Sequence, residues 1–179
     1  MRGSGLMALS LCLCLTLAAC VGIQDAYAPP EQRKPLSVED PSTIKPFIRM
    51  NSPDAPAQFI RDIDSRLNGG TWRWTKQNPT LMFVVQSAKN QKFSMEFTVP
   101  EITMKDTGPV TISVSINDHV LDKTTYKTPG FQHLEKPVPP DWLHPKAENI
   151  VAMQIDKMWI AGQDKVPFGF ILTAIGFVE

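Results

Sequence analysis

The sequence predicts an all-β domain, an antiparallel β-sandwich, carried behind a signal peptide and a proline-rich linker. Phe93, Met95, Phe97 and Val99 alternate with polar residues, and Val110, Ile112, Val114 and Ile116 repeat the pattern. A period of two is the mark of strands with one face in a core. Turn-forming residues punctuate these runs and no βαβ alternation appears, so the strands pair as hairpins and meanders rather than as a parallel sheet.

The chain opens with Met1-Arg2-Gly3-Ser4-Gly5, followed by a twelve-residue apolar run from Leu6 to Leu17. A short positive segment followed by an apolar stretch of this length reads as a secretory signal. It is well short of the ~20 residues that a membrane-spanning helix needs. The run ends Leu17-Ala18-Ala19-Cys20, which resembles the lipobox of bacterial lipoproteins. That resemblance implies cleavage before Cys20, acylation of its sulfur and of the new amine, and firm anchoring, since two or more acyl chains hold where one binds reversibly. Val21 follows the cysteine where an Asp would imply retention at the inner membrane, so the expected location is the outer membrane, on its periplasmic face. Cys12 and Cys14 lie inside the apolar run and leave with the signal, so the mature chain keeps one thiol and has no disulfide framework.

Residues 20–56 hold seven prolines, from Pro29 to Pro56, among small and charged residues with little apolar periodicity. This reads as an extended tether, reaching on the order of 80 Å at ~3.1 Å per residue. Residues 57–179 remain for one domain. Residues 53–67 fit two local structures. Ser52-Pro53-Asp54 could start a helix ended by Asn68-Gly69-Gly70, with Phe59, Ile60, Ile63 and Leu67 on one face. A short strand from Phe59 to Ile63 fits as well.

Further strands are expected at 80–88, 149–159 and 168–178. Asn117, Asp118 and His119 tolerate positive φ and mark a hairpin turn. Most prolines beyond Val99 fall at segment ends, where a missing N–H does least harm.

Residues 69–75 read Gly-Gly-Thr-Trp-Arg-Trp-Thr and hold two of the four tryptophans. On a strand, Trp72 and Trp74 share one face and Arg73 takes the other. The first expectation is that this face is core, and the second that it is a stacking platform. Trp159, at a strand end, divides between the same two roles. Trp142 is expected to plug one end of the sandwich.

Composition and motifs exclude several functions. The chain has 18 Lys+Arg against 18 Asp+Glu, without the clustered basic excess of a nucleic-acid binder. His119, His133 and His144 are scattered without metal-ligand spacing, and no nucleophile elbow, Walker loop or dinucleotide fingerprint occurs. Asp62-Ile63-Asp64 is a DxD without a surrounding nucleotide-binding domain, so its acids read as the polar side of an amphipathic segment. No catalytic constellation, metal site or cofactor is expected.

Three stretches together carry a second resemblance: Trp72-Arg73-Trp74-Thr75, the hairpin from Ser113 to Leu121, and Asp164-Lys165-Val166-Pro167-Phe168-Gly169-Phe170. They resemble the jelly-roll, carbohydrate-binding-like modules found beside bacterial glycosyltransferases and in envelope proteins. Two positions depart from that pattern. Val166 stands where an Arg is usual, which removes an Asp164–Arg pair unless Lys165 substitutes, and Asp118 replaces a turn glycine, which implies a different hairpin geometry.

The resemblance implies a non-enzymatic envelope protein whose sandwich binds or scaffolds polysaccharide. The candidate ligand-binding residues are Trp72, Trp74 and Trp159, with Asn117 and Asp118 as polar partners for hydroxyls. The alternative from a different class is an accessory subunit docking on another envelope protein, suggested by apolar residues on both sides of 168–178.

Overall fold

The computed structural model describes residues 44–162 and 165–179. The signal peptide, Cys20, most of the tether and Asp164 lie outside the described residues.

Eleven strands and one short helix follow in order: β1 (Phe47–Arg49), β2 (Phe59–Ile63), β3 (Arg73–Val84), β4 (Lys92–Val99), α1 (Glu101–Thr107), β5 (Val110–Ile116), β6 (His119–Tyr126), β7 (Gly130–Pro137), β8 (Glu148–Ile155), β9 (Trp159–Ala161), β10 (Val166–Phe168) and β11 (Ile171–Val178). Their pairing is antiparallel throughout, in the order β6-β5-β8-β3-β11-β4-β7, with β1 on β11 and β2 on β3. β3 joins the two layers. It pairs with β8 and β2 over most of its length, and with β11 only at Arg73 and Trp74. One layer is therefore β2-β3-β8-β5-β6 and the other β1-β11-β4-β7, while β9 and β10 form a separate small hairpin.

The expected alternation is realised. Phe93, Met95, Phe97 and Val99 of β4 and Val110, Ile112, Val114 and Ile116 of β5 are all buried. Between the layers they meet Leu81 and Phe83 of β3, Val151, Met153 and Ile155 of β8, and Leu172, Ile175 and Phe177 of β11. The rings interlock edge to face, with Phe97 5.5 Å from Phe170 and Phe83 5.8 Å from Phe177.

Four expectations are refined. Residues 44–56, assigned to the tether, belong in part to the fold: β1 pairs with β11, and Ile48, Met50 and Ala55 are buried. Proline density misleads here because Pro46, Pro53 and Pro56 sit around a three-residue edge strand and a 3-10 turn at Ala55–Gln58. Residues 53–67 take both local structures in succession, that turn and then β2. Trp159 and Phe168 leave the expected long strands and form the β9–β10 hairpin. The chain also contains α1 and β7, which carry too few apolar residues in register to be read beforehand.

The Asn117-Asp118 turn has φ of 46° and 68°. Positive φ at both central residues is the two-residue turn that matches strand twist. Asp118 thus takes up the positive-φ geometry a turn glycine would supply, contrary to the altered hairpin expected from its replacement. The apolar character of residues 174–177 reflects β11 being flanked by β4 and β1, with Ala174, Ile175, Gly176 and Phe177 all buried.

Candidate functional site: an aromatic cleft on the outer face of β3

Gly69 and Gly70 have φ of 54° and 71° and close a tight turn in which Asn68 and Trp72 bridge, Asn68 N–H donating to the Trp72 carbonyl at 2.8 Å. A Cβ on Gly69 would lie 2.9 Å from Trp72 Nε1, so the indole can lie over the turn only because glycine stands there.

The following residue faces inward, and it is arginine. Arg73 is 6% exposed, and its guanidinium donates to the backbone carbonyls of Met50 (3.2 Å), Asp64 (3.3 Å) and Ser65. It also lies 5.3 Å from the centroid of the Phe59 ring. Burial pulls its pKa below the ordinary value, and Asp64 opposes that shift. Thr75 is also inward, its hydroxyl donating to the Phe170 carbonyl at 2.9 Å and accepting from the Phe170 N–H.

This register overturns the first expectation for the tryptophans. Because Arg73 and Thr75 find backbone partners inside, Trp72 and Trp74 point outward and are half-buried. The β9–β10 hairpin packs two more rings against them. Trp74 lies 5.7 Å from Trp72 at 86°, 4.9 Å from Phe168 and 6.2 Å from Trp159, while Trp159 and Phe168 stack at 5.8 Å and 26°. Three of the candidate residues are thereby brought together by two separate elements.

Beside the cluster opens a cleft of about 510 Å³. Trp74, Phe168, Val166 and Ile63 supply its apolar wall, and Asp64, Ser65, Arg66 and Lys76 its polar rim. Sequence reasoning missed the rim. Arg66 and Lys76 carry no motif, and Val166 and Phe168 come from a hairpin whose closeness to β3 is purely tertiary.

The DxD acids have structural partners. Asp62, at φ 59°, accepts the Asn78 N–H at 2.9 Å where the β2–β3 register shifts, and Asp64 accepts the Arg66 N–H at 2.8 Å in the turn after β2. Among the described residues no cluster of three or more His, Cys, Asp or Glu could hold a metal ion. No described helix is long and apolar enough to cross a membrane.

Asn117 and Asp118 do not join the cleft. Asn117 donates to the Trp142 carbonyl at 2.7 Å and to Asn149 Oδ1 at 3.0 Å, and accepts the Ile150 N–H at 2.8 Å. Asn149 pairs with Phe83 on β3, and the nine steps along the strand from Trp74 to Phe83 correspond to roughly 30 Å. Asn117 is therefore a structural clamp, distant from the tryptophans. Asp118 is exposed beside it, and His119 stacks on Trp142 at 4.9 Å and 13°.

No protein-family model matches the chain, and no curated protein matches it. Solved structures that match the chain include a family 35 carbohydrate binding module from an environmental isolate, at 13% identity over 74% of this chain and 92% of that one, TM-score 0.44. Another is Xyl-CBM35 in complex with a glucuronic acid containing disaccharide, at 15% identity over 74% and 92% of the two chains, TM-score 0.43. A third is CBM35 from Cellvibrio japonicus Abf62, at 14% identity over 74% and 91%, TM-score 0.41. The assignment of this chain as an antiparallel β-sandwich rests on its own strand pairing.

Proposed function

We propose that this chain is a lipid-anchored cell-envelope protein, held at the periplasmic face of an outer membrane, whose non-catalytic sandwich binds polysaccharide through the cleft at Trp74. The observation that carries the reading is the convergence of Trp74, Phe168 and Trp159 beside a cleft rimmed by Asp64, Ser65, Arg66 and Lys76. Pyranose rings present C–H faces that stack on aromatic rings, and their hydroxyls require fixed donors and acceptors around that platform. The anchor is supported by Leu17-Ala18-Ala19-Cys20 and the location by Val21.

The test is a binding screen of the full-length chain, kept in mild detergent, against peptidoglycan glycan strands, O-antigen polysaccharide and xylan. Trp74→Ala, Trp159→Ala and Phe168→Ala are measured in parallel, with folding followed by circular dichroism. Retention of a glycan by the wild type and its loss in a folded Trp74→Ala is the expected result. Absence of binding to all three polymers overturns the reading and turns attention to protein partners.

A further inference from the structure

A second feature lies further along β3 from the aromatic cleft. Thr75 and Lys76 line the cleft, and the next two residues of β3, Gln77 and Asn78, line a shallow trough across the outer face of β3, β8, β5 and β6. The trough consists of two depressions, about 280 and 340 Å³, which share Ser113 and Gln154. In register across the sheet, Ser113 lies between Gln154 on β8 and Lys123 on β6, and Ser115 lies between Ala152 and Val120.

The floor is low because the outward positions of β5, and Ala152 on β8, are short. Thr111, Ser113, Ser115 and Ala152 alternate with the buried Val110, Ile112, Val114, Val151 and Met153. Longer side chains stand at the two margins, Arg61 on β2 at one and Lys123 on β6 at the other. From β3 to β6 is three strand spacings, ~14 Å, which exceeds one sugar ring and suits a chain. Its lining is mixed: Ser113, Gln154, Gln77 and Asn78 offer the hydroxyl and carboxamide groups that hydrogen-bond sugar hydroxyls, and Val120 and Ala152 offer apolar surface to the C–H faces.

We propose that the trough is a second part of the glycan site, so that the protein grips an internal stretch of polysaccharide: one sugar on Trp74 and the following units along Ser113 and Gln154. This rests on the reading of the cleft given above, and it adds that the ligand is a chain rather than a chain end. The two clefts act as subsites of one path because Lys76, which lines the cleft, and Asn78, which lines the trough, are two residues apart on β3 and share a face.

The test compares hexasaccharide and disaccharide fragments of peptidoglycan strands, O-antigen and xylan on the full-length chain, using Ser113→Trp, which fills the trough, Gln154→Ala and Trp74→Ala. Outward positions of β5 and β8 tolerate substitution with the core intact, and circular dichroism checks each variant. The expected result is a hexasaccharide bound at least about tenfold more tightly than its disaccharide. Ser113→Trp should remove that gain while leaving disaccharide binding as it was, and Gln154→Ala should reduce it. Trp74→Ala should weaken both fragments. Equal affinity for the two lengths, or a length gain unchanged in both trough variants while Trp74→Ala still abolishes binding, overturns the trough alone. Binding indifferent to Trp74→Ala, or no binding to any fragment, overturns the cleft and the trough together. Competition of the trough by an extended peptide instead of the hexasaccharide would assign it to a protein partner and also overturn the proposal.

Discussion

Lys136 Nζ lies 2.5 Å from Asp122 Oδ1 and ties β7 of one layer to β6 of the other. Among the described residues β6 pairs only with β5 and β7 only with β4, so each is an edge strand of its layer. Asp122 is nearly buried and also accepts the Thr124 hydroxyl at 2.8 Å, whereas the Lys136 side chain remains 44% exposed. The pair covers strand edges that would otherwise be open to pairing with another chain. Removing the lysine leaves a buried carboxylate with one hydroxyl partner. Lys136→Met should therefore cost about 1–3 kcal/mol, less than breaking a fully buried pair because solvent reaches the ammonium. Asp122→Asn in the same background should recover part of the loss. Urea denaturation of the two variants checks the order.

Gly176 has φ 146°, and a Cβ there would fall 2.3 Å from the Pro46 carbonyl oxygen and 2.5 Å from Phe47 Cα. Both obstacles are backbone, so no side-chain rotation relieves them. Gly176→Ala should detach β1 from β11 or displace it, with a loss of about 2–4 kcal/mol. Cleavage of residues 44–50 by a protease under native conditions should rise in parallel. Unchanged stability would show that β1 is not held against Gly176.

The strands with strict alternation were legible because one face of each is core, so β4 and β5 appear where periodicity put them, and the 117–118 turn appears where residues tolerant of positive φ marked one. The site was legible in its parts and not in its assembly. Trp72, Trp74 and Trp159 could be named, but the third comes to the others on β9, and the direction of the first two depends on which face of β3 is inward. That choice is set by Arg73, whose partners are carbonyls at Met50, Asp64 and Ser65. A charged residue between two indoles argues for indoles inward unless the charge has buried acceptors, and carbonyls have no signature in a sequence. Asn117 misled for the converse reason, since a polar turn residue looks free until Trp142, Asn149 and Ile150 occupy its amide.

Arg73 gives a prediction about the cleft. Its fork holds the Asp64 and Ser65 carbonyls, and those residues form part of the rim. Arg73→Lys keeps a charge but presents one ammonium in place of a planar fork, so it cannot serve all three carbonyls from the same position. We expect a loss of about 1–3 kcal/mol in stability and a loosened 64–66 turn. Hydrogen exchange of the Arg66 N–H, which donates to Asp64, reports that turn directly. Faster exchange there with unchanged exchange in β5 is the expected pattern, and uniform acceleration would contradict it.

Tyr126 supplies a pH dependence. Burial raises its pKa above the ordinary value near ~10, and the Asp122 carboxylate adds to the rise. The unfolded chain therefore releases this proton before the folded one does. The stabilising contribution is complete below about pH 10 and is lost as pH rises through the folded value. Ultraviolet titration of phenolate should show a step for Tyr126 delayed above the ordinary range. Tyr126→Phe should remove the delayed step and flatten the alkaline decline in stability, at the cost of no hydrogen bond identified in the fold.

The anchor makes the last prediction, and it depends on chemistry rather than packing. If Cys20 is the acylated first residue of the mature chain, Cys20→Ser removes the sulfur that receives the diacylglyceryl group, and cleavage that requires prior acylation then fails. The variant should incorporate no labelled fatty acid and persist as a precursor longer by residues 1–19. The apolar run from Leu6 to Leu17 would hold that precursor at the inner membrane, so its outer-membrane fraction should fall to background. The wild-type chain should resist extraction by high salt, because acyl chains bind through buried methylene groups and not through charge. Val21→Asp separates sorting from anchoring: it should keep the label and the cleavage while moving the protein to the inner membrane. Labelling and outer-membrane fractionation unchanged by Cys20→Ser would refute the anchor while leaving the sandwich and its cleft as they stand.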